Sequence, residues 1–142
     1  MNKDNAISIL REKGVKITPQ RRFVIESILD DRTHPCAEDV YFKVKKKLPE
    51  ISLATVYQTL DLLEREGLLL KISLPDGKSH FDPFVKPHFH FYCENCGKIE
   101  DRDVMNENPL KDIIKRERAG FEIKNYTVIV YGFCKKCKSK GV

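Results

Sequence analysis

Apolar positions recur at helical spacing through the first half of the chain and in short strand-like runs through the second. Ile7 and Leu10 precede Gly14, a helix stop, and Thr18-Pro19 offers an N-cap with proline at the first helical position. Phe23, Val24, Ile28 and Leu29 form the next apolar stripe. A third helix is predicted over about 36–47, with Val40, Val44 and Leu48 on one face and Pro49 beyond its end. Ser52 caps a fourth, over 52–66, in which Val56, Leu60 and Leu63 share a face before Gly67 stops it.

The period then changes. Residues 68–74 and 79–84 read as strands around Pro75-Asp76-Gly77-Lys78, a strong turn signal. Helices followed by one hairpin is the order of a winged helix-turn-helix, in which the fourth helix enters the major groove and the hairpin is the wing. Periodicity by itself leaves a generic helical domain with a terminal hairpin equally open. The Pro-flanked stretch 83–87 is the predicted hinge. Beyond it a strand is expected over 88–93, a helix over 109–118 carrying Leu110, Ile113 and Ile114, and a long strand over 121–133. The fold class is therefore α+β, with one domain over 1–84 and a small α/β domain over 85–142.

Cysteine spacing adds chemistry to this frame. Cys93-Glu94-Asn95-Cys96 and Cys134-Lys135-Lys136-Cys137 hold four of the five cysteines. Two turns of this spacing point to a closed, tetrahedral, four-thiolate zinc site, which leaves no open position for a substrate. Bringing the pairs together clamps the start of the second domain to its terminus. Cys36 is left over, most simply a small structural residue. His88 and His90 raise a different metal question, because residues two apart on a strand share a face. His34, Asp82 and Asp101 would complete a nitrogen and oxygen shell suited to Fe(II) or Mn(II) rather than to a thiolate metal. Spacing alone supports only the His88/His90 pair.

The chain has 142 residues, 41% apolar and 33% charged, a globular composition whose two small domains would each have a thin core. The net charge of +5 is compatible with a polyanionic partner without demanding one. Basic residues are dense in the first third, including Lys16, Arg21 and Arg22. No membrane span or signal peptide is read, so a cytoplasmic location is expected, where paired cysteines favour metal over disulfide.

Gly14-Val15-Lys16-Ile17-Thr18-Pro19-Gln20-Arg21, His34-Pro35, Ser52-Leu53-Ala54-Thr55-Val56-Tyr57, Phe81-Asp82, His88-Phe89-His90 and Cys93-Glu94-Asn95-Cys96-Gly97-Lys98 together resemble the ferric uptake regulator (Fur) family. The resemblance runs from about residue 7 to residue 137. It implies a homodimeric, metal-dependent transcriptional repressor with an N-terminal winged-helix DNA-binding domain and a C-terminal dimerisation domain. Carried over position by position, Cys93, Cys96, Cys134 and Cys137 match the structural zinc ligands. His34, Asp82, His88, His90 and Asp101 match the regulatory metal site between domains. Asp82 and Asp101 resemble the peroxide-sensing PerR branch, where the iron-sensing branch more often has glutamates; the adjacent Glu100 softens the distinction. That branch implies Fe(II) or Mn(II) at the regulatory site and oxidation of His34 or His88 by peroxide. Lys124-Asn125-Tyr126 offers no histidine for an additional metal site.

The partner implied is double-stranded operator DNA carrying an inverted repeat. Ser52, Ala54, Thr55, Tyr57 and Gln58 are expected to face bases, with Tyr57 against thymine methyls, while Lys16, Arg21 and Arg22 hold phosphates or a minor groove. Asp61, Glu64 and Glu66 make the recognition segment non-basic overall, so affinity must come from outside it. An iron- or zinc-sensing regulator of the same family is the nearest alternative, the latter with Cys36 as its one candidate sensing thiol. From a different class, two Cys-x-x-Cys turns can hold iron in an electron carrier. Enzymatic readings fare worse: the histidine pair lacks the spaced glutamate of a zinc deaminase, and there is no nucleophile elbow or phosphate-binding glycine loop.

Overall fold

The computed structural model describes residues 2–103, 109–117 and 119–141. The chain divides into two compact units, Met1–Val85 and Lys86–Val142.

Four helices and a hairpin build the first unit: α1 (Lys3–Glu12), α2 (Pro19–Ile28), α3 (Ala37–Lys45), α4 (Leu53–Arg65), β1 (Leu70–Ser73) and β2 (Ser79–Asp82). Local chemistry sets the helix starts. The Thr18 and Ser52 hydroxyls accept from the backbone N–H groups of Arg21 and Thr55, and Pro19 opens α2. Cys36 caps α3, whose third residue, Asp39, reaches back to the Cys36 N–H. The apolar stripes converge on one core that includes Leu10, Val24, Ile25, Ile28, Val40, Val56, Leu60 and Leu63. β1 and β2 pair antiparallel from Leu70↔Asp82 to Ser73↔Ser79, and Gly77, at φ 78°, supplies the left-handed residue of their turn. This is a winged helix-turn-helix.

The strands are shorter than the apolar runs suggested. Leu68 and Leu69 are buried but lie before β1, and Phe84 lies past the end of β2. Likewise α3 ends at Lys45, after which Leu48 N–H still bonds to the Val44 carbonyl in the closing turn.

The second unit comprises β3 (His88–Cys93), β4 (Ile99–Asp103), α5 (Pro109–Glu117), β5 (Val128–Gly132) and α6 (Lys135–Ser139). Its sheet has the order β4-β3-β5. β3 pairs antiparallel with β4 and parallel with β5. The long strand expected over 121–133 is realised only at Val128–Gly132, because β3 offers partners only from Phe89 to Cys93. β4 was not expected at all: Ile-Glu-Asp-Arg-Asp has little strand propensity. The turn that begins at Cys93 returns the chain onto β3, with the Cys93 N–H bonded to the Lys98 carbonyl at 2.9 Å and Gly97 at φ 74°. α5 ends at Glu117; the predicted helix end at Arg118 lies outside the described residues. Among the described residues, no helix is long and apolar enough to cross a membrane.

Candidate metal centres and DNA-facing residues

Cys93 closes β3, Cys96 sits in the following turn, Cys134 caps α6 and Cys137 lies within it. Their sulfurs all lie within 4.8 Å of one another, and Cys96 Sγ is 3.8 Å from Cys134 Sγ. Zinc–sulfur bonds of about 2.3 Å in a tetrahedron put sulfurs about 3.8 Å apart. The set therefore fits zinc in size as well as in chemistry. Backbone amides prepare the thiolates. The Cys134 N–H, 3.3 Å from Cys93 Sγ, leads the donors that bring the Cys93 thiol down to about 6. Cys134 is lowered chiefly by the Cys137 N–H. Cys137 accepts from the Asn95 amide at 3.2 Å, which favours its thiolate, but the neighbouring sulfurs and burial outweigh that and push it up to about 11. Four thiolates crowded together oppose full ionisation, and a dication removes the opposition.

Histidine and aspartate form a second kind of set, present in part in each unit. In the first unit His34, in the loop before α3, places Nε2 3.3 Å from Asp82 Oδ2 at the end of β2, and both residues are buried. The other Asp82 oxygen accepts from the Phe84 N–H at 2.9 Å. In the second unit the register pairs His90 directly with Asp101, and His88 lies two residues away on the same face of β3. His88 Nε2 is 3.6 Å from Asp101 Oδ2, and His90 Nε2 is 3.6 Å from Asp101 Oδ1. The two imidazoles have centroids 4.3 Å apart. His88 Nδ1 donates to the Lys86 carbonyl at 2.8 Å, so Nε2, the nitrogen on the Asp101 side, is its candidate donor to a metal. Imidazole and carboxylate donors fit Fe(II) or Mn(II), as thiolates fit zinc. Cys36 is occupied elsewhere: its thiol donates to Asp39 Oδ2 at 3.1 Å, and burial pushes its pKa up.

On α4, Ser52, Ala54, Tyr57 and Gln58 are exposed and Thr55 is half-buried. The Tyr57 hydroxyl donates to Glu38 Oε1 at 2.8 Å, which holds the Glu38 carboxyl below its ordinary range and raises the phenol. Its ring is thus steadied on the surface from α3. Lys16 is exposed, Arg21 Nη1 donates to the Lys16 carbonyl at 2.7 Å, and Arg22 Nε pairs with Glu26 at 2.9 Å. Sequence reasoning missed His80. Its Nδ1 lies 2.6 Å from the His34 carbonyl oxygen and its Nε2 2.7 Å from Asp76 Oδ2. Nothing in its spacing set it apart from an ordinary wing residue.

A winged helical unit followed by a small sheet unit, with thiolate and imidazole–carboxylate ligand sets, defines a metal-binding protein of the winged-helix class. The pattern of the Ferric uptake regulator family matches residues 12–131, and the chain belongs to that family. It is 35% identical over 135 residues to the peroxide operon regulator of Bacillus subtilis (strain 168), covering 95% of this chain and 92% of that one. Its identity to the peroxide-responsive repressor PerR of Staphylococcus epidermidis is 32%, over 97% of this chain and 91% of that one. The crystal structure of the Campylobacter jejuni peroxide stress regulator superposes with a TM-score of 0.69 at 34% identity, covering 92% of this chain and 98% of that one.

Proposed function

We infer that this chain is a homodimeric, metal-dependent DNA-binding repressor that senses peroxide, and that it is not an enzyme. The observation that carries the reading is the separation of two donor chemistries: four thiolates gathered together in the second unit, and imidazoles beside carboxylates within each unit. Cys93, Cys96, Cys134 and Cys137 hold a structural zinc ion. His34 and Asp82 supply two donors and His88, His90 and Asp101 supply three. Neither group alone fills the five or six positions of a typical Fe(II) or Mn(II) shell, and one ion shared by both would tie the two units into a DNA-binding arrangement. Metal occupancy then acts as a population shift, for which roughly 5 kcal/mol of differential binding suffices.

The first unit, through about residue 84, is the DNA-binding domain and the remainder the dimerisation domain. Two copies present two α4 helices to an inverted-repeat operator. Ser52, Ala54, Thr55, Tyr57 and Gln58 read bases, and Lys16, Arg21 and Arg22 contact phosphates or a minor groove. Arg22 gives up a surface ion pair worth little to do so. Phe91, Val130, Tyr131 and Phe133, all exposed on the second unit, provide apolar surface for the second copy. A cytoplasmic location accords with this reading.

An Fe(II) ion held at this site would activate hydrogen peroxide. His34 or His88 would be oxidised by the peroxide, a ring carbon gaining one oxygen and the other oxygen leaving as water, and the loss of a good ligand would weaken the site and release the DNA. The test uses DNA selected from a random pool with Mn(II)-loaded protein. Binding is measured with Mn(II), Fe(II) and Zn(II), before and after peroxide. Loss of binding by the Fe(II) form alone, with one oxygen gained on a histidine, is the expected result. An Fe(II) form that keeps its DNA affinity and unmodified histidines would refute peroxide sensing, and activation by zinc alone would select a zinc sensor.

A further inference from the structure

His34 has φ 57°, a left-handed backbone conformation that is unfavourable for a residue with a Cβ. Pro35 follows it and gives no backbone donor to help hold the loop. The loop is instead stitched to β2. The Phe81 N–H donates to the Pro35 carbonyl at 2.9 Å, and Cys36 forms an isolated antiparallel bridge with His80. The His80 side chain adds a connection to the His34 backbone, 2.6 Å from its carbonyl oxygen, while its other nitrogen reaches Asp76 in the β1–β2 turn at 2.7 Å. Asp76 is fixed in turn, because its Oδ1 accepts from the Lys78 N–H at 2.9 Å. His80 therefore runs as a strut from the wing turn to the backbone of His34.

We propose that His80, anchored by Asp76, is a positioning residue for the metal ligand His34. The inference rests on the reading of His34 as a regulatory ligand. The two partners of the His80 ring are a backbone carbonyl oxygen and a carboxylate oxygen on opposite sides of it, so the ring spans the gap between the wing turn and the ligand loop. Without the strut the His34 carbonyl loses its bond to the His80 ring, the hold on the left-handed φ weakens, and the imidazole is less firmly aimed beside Asp82. The link also ties the ligand loop mechanically to the wing, all within the first unit.

The test is a Co(II) titration of the full-length, zinc-loaded protein, read from visible d–d absorption. H80F removes the donors and keeps a ring, H80R restores donors for both acceptors, and D76A on the exposed turn removes the outer anchor together with its bond to the Lys78 N–H. H34A and H88A serve as ligand controls. Loss of the strut is expected to weaken Co(II) binding about 10-fold or more, the scale on which partners outside the coordination shell act, and to shift the d–d bands. H80R should recover both affinity and band position. D76A, which disturbs no buried group, should give a smaller loss in the same direction, with the double variant D76A/H80F no weaker than H80F. If H34A and H88A lose Co(II) binding while H80F and D76A keep wild-type affinity and spectrum, the strut is overturned and the ligand assignment stands. If both control variants bind Co(II) as wild type does, the ligand assignment fails and the strut falls with it.

Discussion

The two units solve the problem of holding a small fold together by different means. In Met1–Val85 the interior is aliphatic, with Leu10, Ile25, Ile28, Leu60 and Leu63 fully buried among four helices. In Lys86–Val142 the buried described residues are His88, His90, Cys93 and Cys137, each a candidate metal ligand. Large apolar side chains of that unit, including Phe121, Tyr131 and Phe133, are instead exposed. One unit is folded by its own core. The other has no aliphatic interior among its described residues, and in the proposed reading a metal and a partner surface make up for it. In the proposed function the contrast also separates jobs: a unit closed by thiolate bonds would keep its shape during signalling, while imidazole and carboxylate donors would gain and lose an ion.

The largest effect that would break this comparison is zinc removal. Structural zinc contributes about 10–16 kcal/mol to small zinc-dependent folds. Stripping it with a strong chelator should abolish the β4-β3-β5 sheet while the helices of the first unit persist, as followed by circular dichroism and by proteolysis after residue 85. The mirror-image change is L60A. Leu60 is fully buried in the helical core, so its truncation should cost about 2–5 kcal/mol in denaturant unfolding of the first unit and leave bound zinc unchanged. The smallest effect sharpens the assignment of the DNA face. K16A and R21A should each reduce the steepness of the salt dependence of DNA binding by about 1, with no change in Mn(II) affinity.

Much of the first unit was legible because its signals are local. Thr18-Pro19 and Ser52 mark helix starts, the stripe through Val56, Leu60 and Leu63 marks a buried face, and Pro75-Asp76-Gly77 marks the wing turn. The four-cysteine set was legible for the same reason, since spacing of two residues dictates a turn that can grip an ion. What escaped depended on pairing partners far along the chain. β4 exists because the Cys93 turn returns its charged sequence onto β3, and β5 stops where β3 no longer offers a partner. Spacing marked out His88 and His90, but Asp101 comes beside them through strand register and His34 beside Asp82 through a left-handed loop residue. His80 carried no signal, because its importance lies in which backbone oxygen it reaches.

We assign structure to the thiolate set and the response to metal to the imidazole–carboxylate set. Amide hydrogen exchange on C93A and H88A, each with and without Mn(II), tests this assignment most directly. C93A should lose protection throughout Lys86–Val142 with or without Mn(II), while Met1–Val85 stays protected. H88A should keep wild-type protection in both units and lose only the added protection that Mn(II) confers on the wild type. Equal unfolding in the two variants, or an H88A that still responds to Mn(II), would contradict this division.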